Sequence, residues 1–175
     1  MIPVSAKQRG RVAGALYLFS LFTAAAGELY LHGRLKIAVG LLAVVAMAAM
    51  MVLFYTIFKP VEKRTAMLGT AIGLVGLLFE AMRFNPQGVD VAIVLDGFFC
   101  LLTGVLIVRS EFMPRILAAP MALAGVAWLT FQSPTLASRL SPWNLGCGVL
   151  GEAVVMLWLL VVGLDEKRWW EQAGS

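Results

Sequence analysis

The chain has 175 residues, of which 61% are hydrophobic and only 14% charged, with a mean hydropathy of +0.87. A soluble domain of this size could not bury that much apolar surface, whereas a chain that crosses a bilayer several times has lipid for solvent. The formal net charge of +4 is therefore an orientation signal, and no nucleic-acid partner is expected.

Residues 1–11 carry Lys7, Arg9 and Arg11 and read as a cap at one membrane face. The first span is expected over 12–31. It contains a glutamate and lacks a cleavage site, so it does not read as a signal peptide. A short turn around His32 and Gly33 leads to a second span over 35–58. The basic connector KPVEKRT precedes a third span over 66–84, which ends at the turn signal Asn85-Pro86-Gln87-Gly88. A fourth span is expected over 89–108. The loop RSEFMPR leads to a fifth over 116–131, in which Pro120 is expected to produce a kink. Residues 132–142 read as the longest loop. The sixth span, 145–163, is nearly unbroken apolar sequence with one carboxylate, Glu152, at its middle. About 20 helical residues at ~1.5 Å each cross a ~30 Å hydrocarbon core. Trp169 and Trp170 follow where an interfacial aromatic belt would sit.

The expected fold is all-α: one domain, a bundle of six transmembrane helices. Six spans place both termini on one side. Ten basic residues accompany that side (Lys7, Arg9, Arg11, Lys59, Lys63, Arg64, Arg109, Arg115, Lys167 and Arg168) against four on the other (Arg34, Lys36, Arg83 and Arg139). That bias points to a plasma (inner) membrane protein with both termini in the cytoplasm. Cys100 and Cys147 lie in apolar runs and read as buried thiols. With one histidine and no close cysteine pair, no metal site and no cofactor are expected.

Ionisable residues inside spans are costly, so they should face protein or water. Glu28, Glu80, Arg83, Asp96 and Glu152 all fall in the outer half or the centre of their spans. Gly69, Gly73, Gly76 and Glu80 share one helix face, as do Asp96, Cys100 and Thr103, and Gly14, Tyr17 and Glu28. Asn144, Gly148 and Glu152 share a face of the last span, and small residues there let another helix come close. Glu80 and Arg83, three residues apart, are expected to form a structural ion pair. Glu28, Asp96 and Glu152 outnumber the intramembrane cations, so at least one must keep its proton or meet water. They are expected to line one cavity opening to the outer side, with Glu152 as the candidate general acid.

The runs RVAGALYLFSLFTAAAGELY, FKPVEKRTAMLG, VLIVRSEFMPRILAAPMALAGVAWLTFQSP and LSPWNLGCGVLGEAVVMLWLLVVGLDEKRWWEQA resemble the bacterial membrane family catalogued as domain of unknown function forty-three eighty-six (DUF4386). The resemblance is most specific in the Arg109 to Arg115 loop and around Gly151-Glu152. Longer relatives carry an insertion near the first outer loop that this chain lacks. The resemblance implies the membrane fold and no activity.

Three functions remain open at this level. One is an accessory or ligand-binding membrane protein with an outer acidic cavity for a lipophilic or cationic small molecule. Another is a small enzyme protonating a lipid or isoprenoid, with Trp128 or Phe99 shielding a cationic intermediate. The last is a proton- or cation-coupled transporter working as a homo-oligomer. A closed apolar chamber favours chemistry, a path past Glu152 favours transport, and an open vestibule favours binding.

Overall fold

The structure, a computed structural model, describes residues 5–174, and all regular elements among them are helical. Six segments are long and apolar enough to cross a membrane, and the chain is a multi-pass membrane protein in contact with the bilayer. They are α1 (Ala6–Tyr30), α2 (Gly33–Phe58), α3 (Lys63–Ala81), α4 (Val91–Arg109), a fifth span over Arg115–Gln132 whose central part is α5 (Ala118–Leu129), and α7 (Trp143–Val161). Two short helices, α6 (Pro134–Leu140) and α8 (Glu166–Gly174), lie outside the spans. Helices are favoured because each satisfies its own backbone groups where water is absent.

Local chemistry sets the boundaries. Helix α1 begins before the apolar run because Ser5 and Gln8 form a reciprocal capping box, with both bonds at 3.2 Å. Pro120 does not lie in a helix interior. It sits in the first turn of α5, where a helix has no use for its missing N–H. The stretch 132–142 is not simply loop: Ser133 caps α6 by accepting from the Leu136 N–H at 3.4 Å, and Pro134 occupies the first helical position.

Successive helices pack against each other, α1 on α2, α2 on α3, α3 on α4 and α4 on α5. Then α5 packs on α7, and α7 returns to α1. The six spans thus close into a ring with one interior. One end of the ring gathers both chain ends, the α2–α3 connector and the α4–α5 loop. The other, the hairpin end, gathers the α1–α2 and α3–α4 turns and α6.

At the termini end the interior is filled by apolar side chains. Phe58 lies 5.5 Å from Phe54 and 5.9 Å from Phe112 between ring centroids, and Phe54 lies 5.9 Å from Phe99. Ile57, Ile107, Met156 and Leu159 complete this plug, all buried. The tail closes over it. Trp169 does not rest in an interfacial belt. It is buried, donates from Nε1 to the Ile57 carbonyl at 2.9 Å, and lies 5.5 Å under the Arg9 guanidinium. Of the two tail tryptophans, Trp170 stays exposed. A buried indole needs a hydrogen-bond partner, and the C-terminal end of α2 offers carbonyls without intrahelical partners.

Candidate functional site

The polar groups of the interior converge between α1, α4, α5 and α7. Asp96 and Cys100 stand one turn apart on α4, and Glu152 faces them from α7. One ligand-type atom from each lies within 4.8 Å of the others. Glu152 is buried, and its Oε1 accepts from the Trp128 indole N–H and from the Cys100 thiol at 3.2 Å. Tyr17, buried on α1, turns its hydroxyl toward the same two carboxyl groups. A carboxyl group withdrawn from water must find donors in the protein, and Trp128, Cys100 and the Tyr17 hydroxyl are those donors.

The glycine face of α7 explains how Trp128 gets there. A Cβ on Gly148 would stand 2.5 Å from the Trp128 ring, so the indole lies flat against backbone. Next to it, Asn144 donates from Nδ2 to Thr130 Oγ1 at 3.1 Å and to the Ala137 carbonyl at 3.2 Å. It ties the fifth span and α6 to the start of α7. The face shared by Asn144, Gly148 and Glu152 is thus wholly spent on contacts with neighbouring elements.

A cavity of about 180 Å³ lies between α2, α3 and α4, on the hairpin-end side of this cluster. Met47, Met51 and Leu77 supply apolar wall, while Glu80, Asp90 and Asp96 supply three carboxylates. Gly73 and Gly76 of α3 also line it, so the glycine face of α3 borders the cavity as well as packing on α4. Asp90 also caps α4, accepting from the Ile93 N–H at 3.2 Å. Among the described residues the ion pairs are Glu28–Lys36, Glu62–Arg109, Asp165–Arg168 and Lys167–Glu171. None of the cavity carboxylates takes part in one.

The expected site residues therefore separate. Asp96 and Glu152 come together, Asp96 on the cavity wall and Glu152 behind it. Glu28 does not join them. It lies exposed in the last turn of α1 and pairs with Lys36 of α2 at 2.6 Å. It follows Tyr17 by three helical turns on the same face, but those turns carry it beyond the ring's interior. Glu80 and Arg83 form no ion pair. Helix α3 ends at Ala81, and Arg83 takes a left-handed backbone with φ 51°, so the three-residue helical spacing that would align the two side chains is broken. Phe99 lies in the apolar plug, and Trp128 presents its N–H, not its face, to the acid. Asp90 and the Tyr17 hydroxyl were not singled out by sequence as parts of the site. Asp90, the second residue of the expected fourth span, was not counted among its ionisable residues, and Tyr17 is joined to Asp96 only by tertiary packing.

Asp96, Cys100 and Glu152 form a mixed carboxylate–thiol donor set, which has the composition and closeness to hold a transition-metal ion. The sequence spacing concealed it because Glu152 lies on a different helix. Yet every buried side-chain nitrogen and oxygen among the described residues already has a hydrogen-bond partner, so the cluster is satisfied by its own donors.

Residues 77–163 match the model of a family described as Domain of unknown function (DUF4386). The matched segment includes Glu80, Asp90, Asp96, Cys100, Trp128 and Glu152, and leaves out Tyr17 and Glu28. No curated protein and no solved structure matches the chain.

Proposed function

We propose a ligand-binding role for this chain, whose residues 77–163 match the DUF4386 model: one six-helix transmembrane unit that holds a small organic cation in the acidic cavity at its hairpin end. The observation that carries this is the cavity wall, with three carboxylates free of ion pairs beside methionine and leucine side chains. The carboxylates would balance one or more positive charges, and the thioethers would cover an apolar body. The size fits, since an apolar cavity of about 150 Å³ accepts benzene. The cluster behind the wall supports Asp96: Glu152, held by Trp128 and Cys100, fixes the polar floor of the cavity. Glu152 then acts as a positioning residue in the binding reading.

The apolar plug between Glu152 and the termini end favours binding over transport, since past Cys100 the face of α4 carries only the buried Thr103 before Ile107 joins the plug. The cavity's open side favours binding over a sealed reaction chamber. The bias of basic residues supports an outward-facing hairpin end in a plasma membrane, with both termini in the cytoplasm. The test is thermal unfolding of the purified protein in detergent with benzyltrimethylammonium, and with neutral benzyl alcohol as control. A ligand at about 100 times its Kd stabilises by about 2.7 kcal/mol. The cation should raise the melting temperature saturably, and the Glu80→Gln/Asp90→Asn/Asp96→Asn protein should lose that response. An equal response in the variant, or an equal one to the neutral analogue, would refute an acidic cation site.

A further inference from the structure

A second, larger cavity of about 460 Å³ opens at the termini end, independent of the acidic one. It lies where α7 stops, between the first turn of α1, the α4–α5 loop and α8. Its apolar floor is Phe112, Met113 and Leu164, and Trp158 and Val162 border it on the side of α7. One basic pair, Lys7 and Arg168, and one acidic pair, Glu111 and Asp165, stand on its rim.

The rim is built with precision by the turn beneath it. Gly163, with φ 76°, ends α7 and donates its N–H to the Trp158 carbonyl at 3.3 Å. A Cβ there would stand 2.8 Å from Lys7 Cγ, so the stem of Lys7 runs across the bare glycine toward the cavity. Arg11 covers the end of α7 by donating to the Val161 carbonyl at 3.2 Å. Arg168 donates to the Glu111 carbonyl at 3.3 Å and lies 3.5 Å from the Asp165 carboxylate. Among the described residues, neither Lys7 nor the Glu111 carboxylate takes part in an ion pair.

From this cavity we infer a binding site for the headgroup of a zwitterionic phospholipid, of the phosphoethanolamine class. Lys7 and Arg168 receive the phosphate, Glu111 and Asp165 receive the ammonium, and the acyl chains leave along Trp158 and the exposed Val162. The balance of charge on the rim selects against a purely anionic headgroup, for which the two carboxylates are repulsive. Depth agrees: the site lies at the end of a spanning helix, at the level of bilayer headgroups. An ammonium with N–H donors matches carboxylate acceptors, which a quaternary choline cannot do by hydrogen bonding.

The test uses the full chain, delipidated in detergent, titrated with short-chain phosphatidylethanolamine, phosphatidylcholine and phosphatidylglycerol and followed by native mass spectrometry. Phosphatidylethanolamine should bind tightest, by about tenfold for one charge-assisted bond. Lys7→Ala should weaken all three lipids. Glu111→Gln should weaken phosphatidylethanolamine alone and strengthen phosphatidylglycerol, a reversal of preference that loss of folding cannot produce. Both side chains are exposed, so the variants should keep the fold. Soluble glycerophosphoethanolamine serves as the source control and should bind more weakly than the lipid. Equal binding of the three lipids, a parent preference for phosphatidylglycerol, unchanged selectivity in Glu111→Gln, or soluble headgroup binding as tight as lipid would each overturn the inference.

Discussion

Replacing Glu152 by leucine separates the acid's structural work from any other role. The substitution puts an apolar side chain of similar size in place of the acid and removes the acceptor for the Trp128 N–H and the Cys100 thiol, while Asp96 remains near the Tyr17 hydroxyl. A buried donor left unpaired costs about 1–3 kcal/mol. The indole N–H should account for most of this, since a thiol is a weak donor. Trp128→Phe alone should destabilise as well, by shrinking a ring packed on Gly148 and by depriving Glu152 of its better donor. In the Trp128→Phe/Glu152→Leu protein the indole donor and its acceptor go together, so the indole's share of the penalty is absent, while the Cys100 thiol loses Glu152 in both leucine proteins and cancels in the comparison. The double variant should be more stable than the sum of the single losses by about 1–3 kcal/mol, within the range of contacting pairs. Glu152→Gln should stay close to the parent, because its amide oxygen still accepts from both donors. Unfolding in mixed micelles by added sodium dodecyl sulfate, followed by far-ultraviolet circular dichroism, measures all four proteins. Additive losses, within about 0.5 kcal/mol, would mean that Trp128 does not depend on Glu152.

Gly148→Ala should cost about 1–3 kcal/mol by overpacking against the Trp128 ring, and near-parental unfolding in the same micelles would refute the close approach. Glu28→Gln should leave the melting temperature unchanged, because its pair with Lys36 is exposed; a clear loss in thermal unfolding would place Glu28 back in the interior. A cysteine introduced at Ser175 should react with an impermeant maleimide only after cells are opened, and labelling of intact cells would overturn the cytoplasmic placement of the termini.

The number and order of spans were legible in the sequence because the bilayer imposes a length and a polarity on every crossing, residue by residue. The same rule made Glu152 conspicuous as a carboxylate in a run otherwise fit for lipid, and the glycines on its face announced close packing. The ends of elements were less legible. Pro120 falls in the first turn of α5 because the helix proper starts at Ala118, and Arg83 leaves Glu80 because α3 stops two residues earlier. What tertiary structure alone decided was which acids share a space. Helical periodicity puts Glu28 on the face of Tyr17, yet the closure of α7 onto α1 brings Tyr17 to Glu152 and leaves Glu28 outside, facing Lys36. The acidic wall of Glu80, Asp90 and Asp96 is drawn from the end of one helix, the cap of the next and its second turn. A helix face is a local property of its own sequence, whereas the neighbour that covers it depends on how six such faces close around one interior.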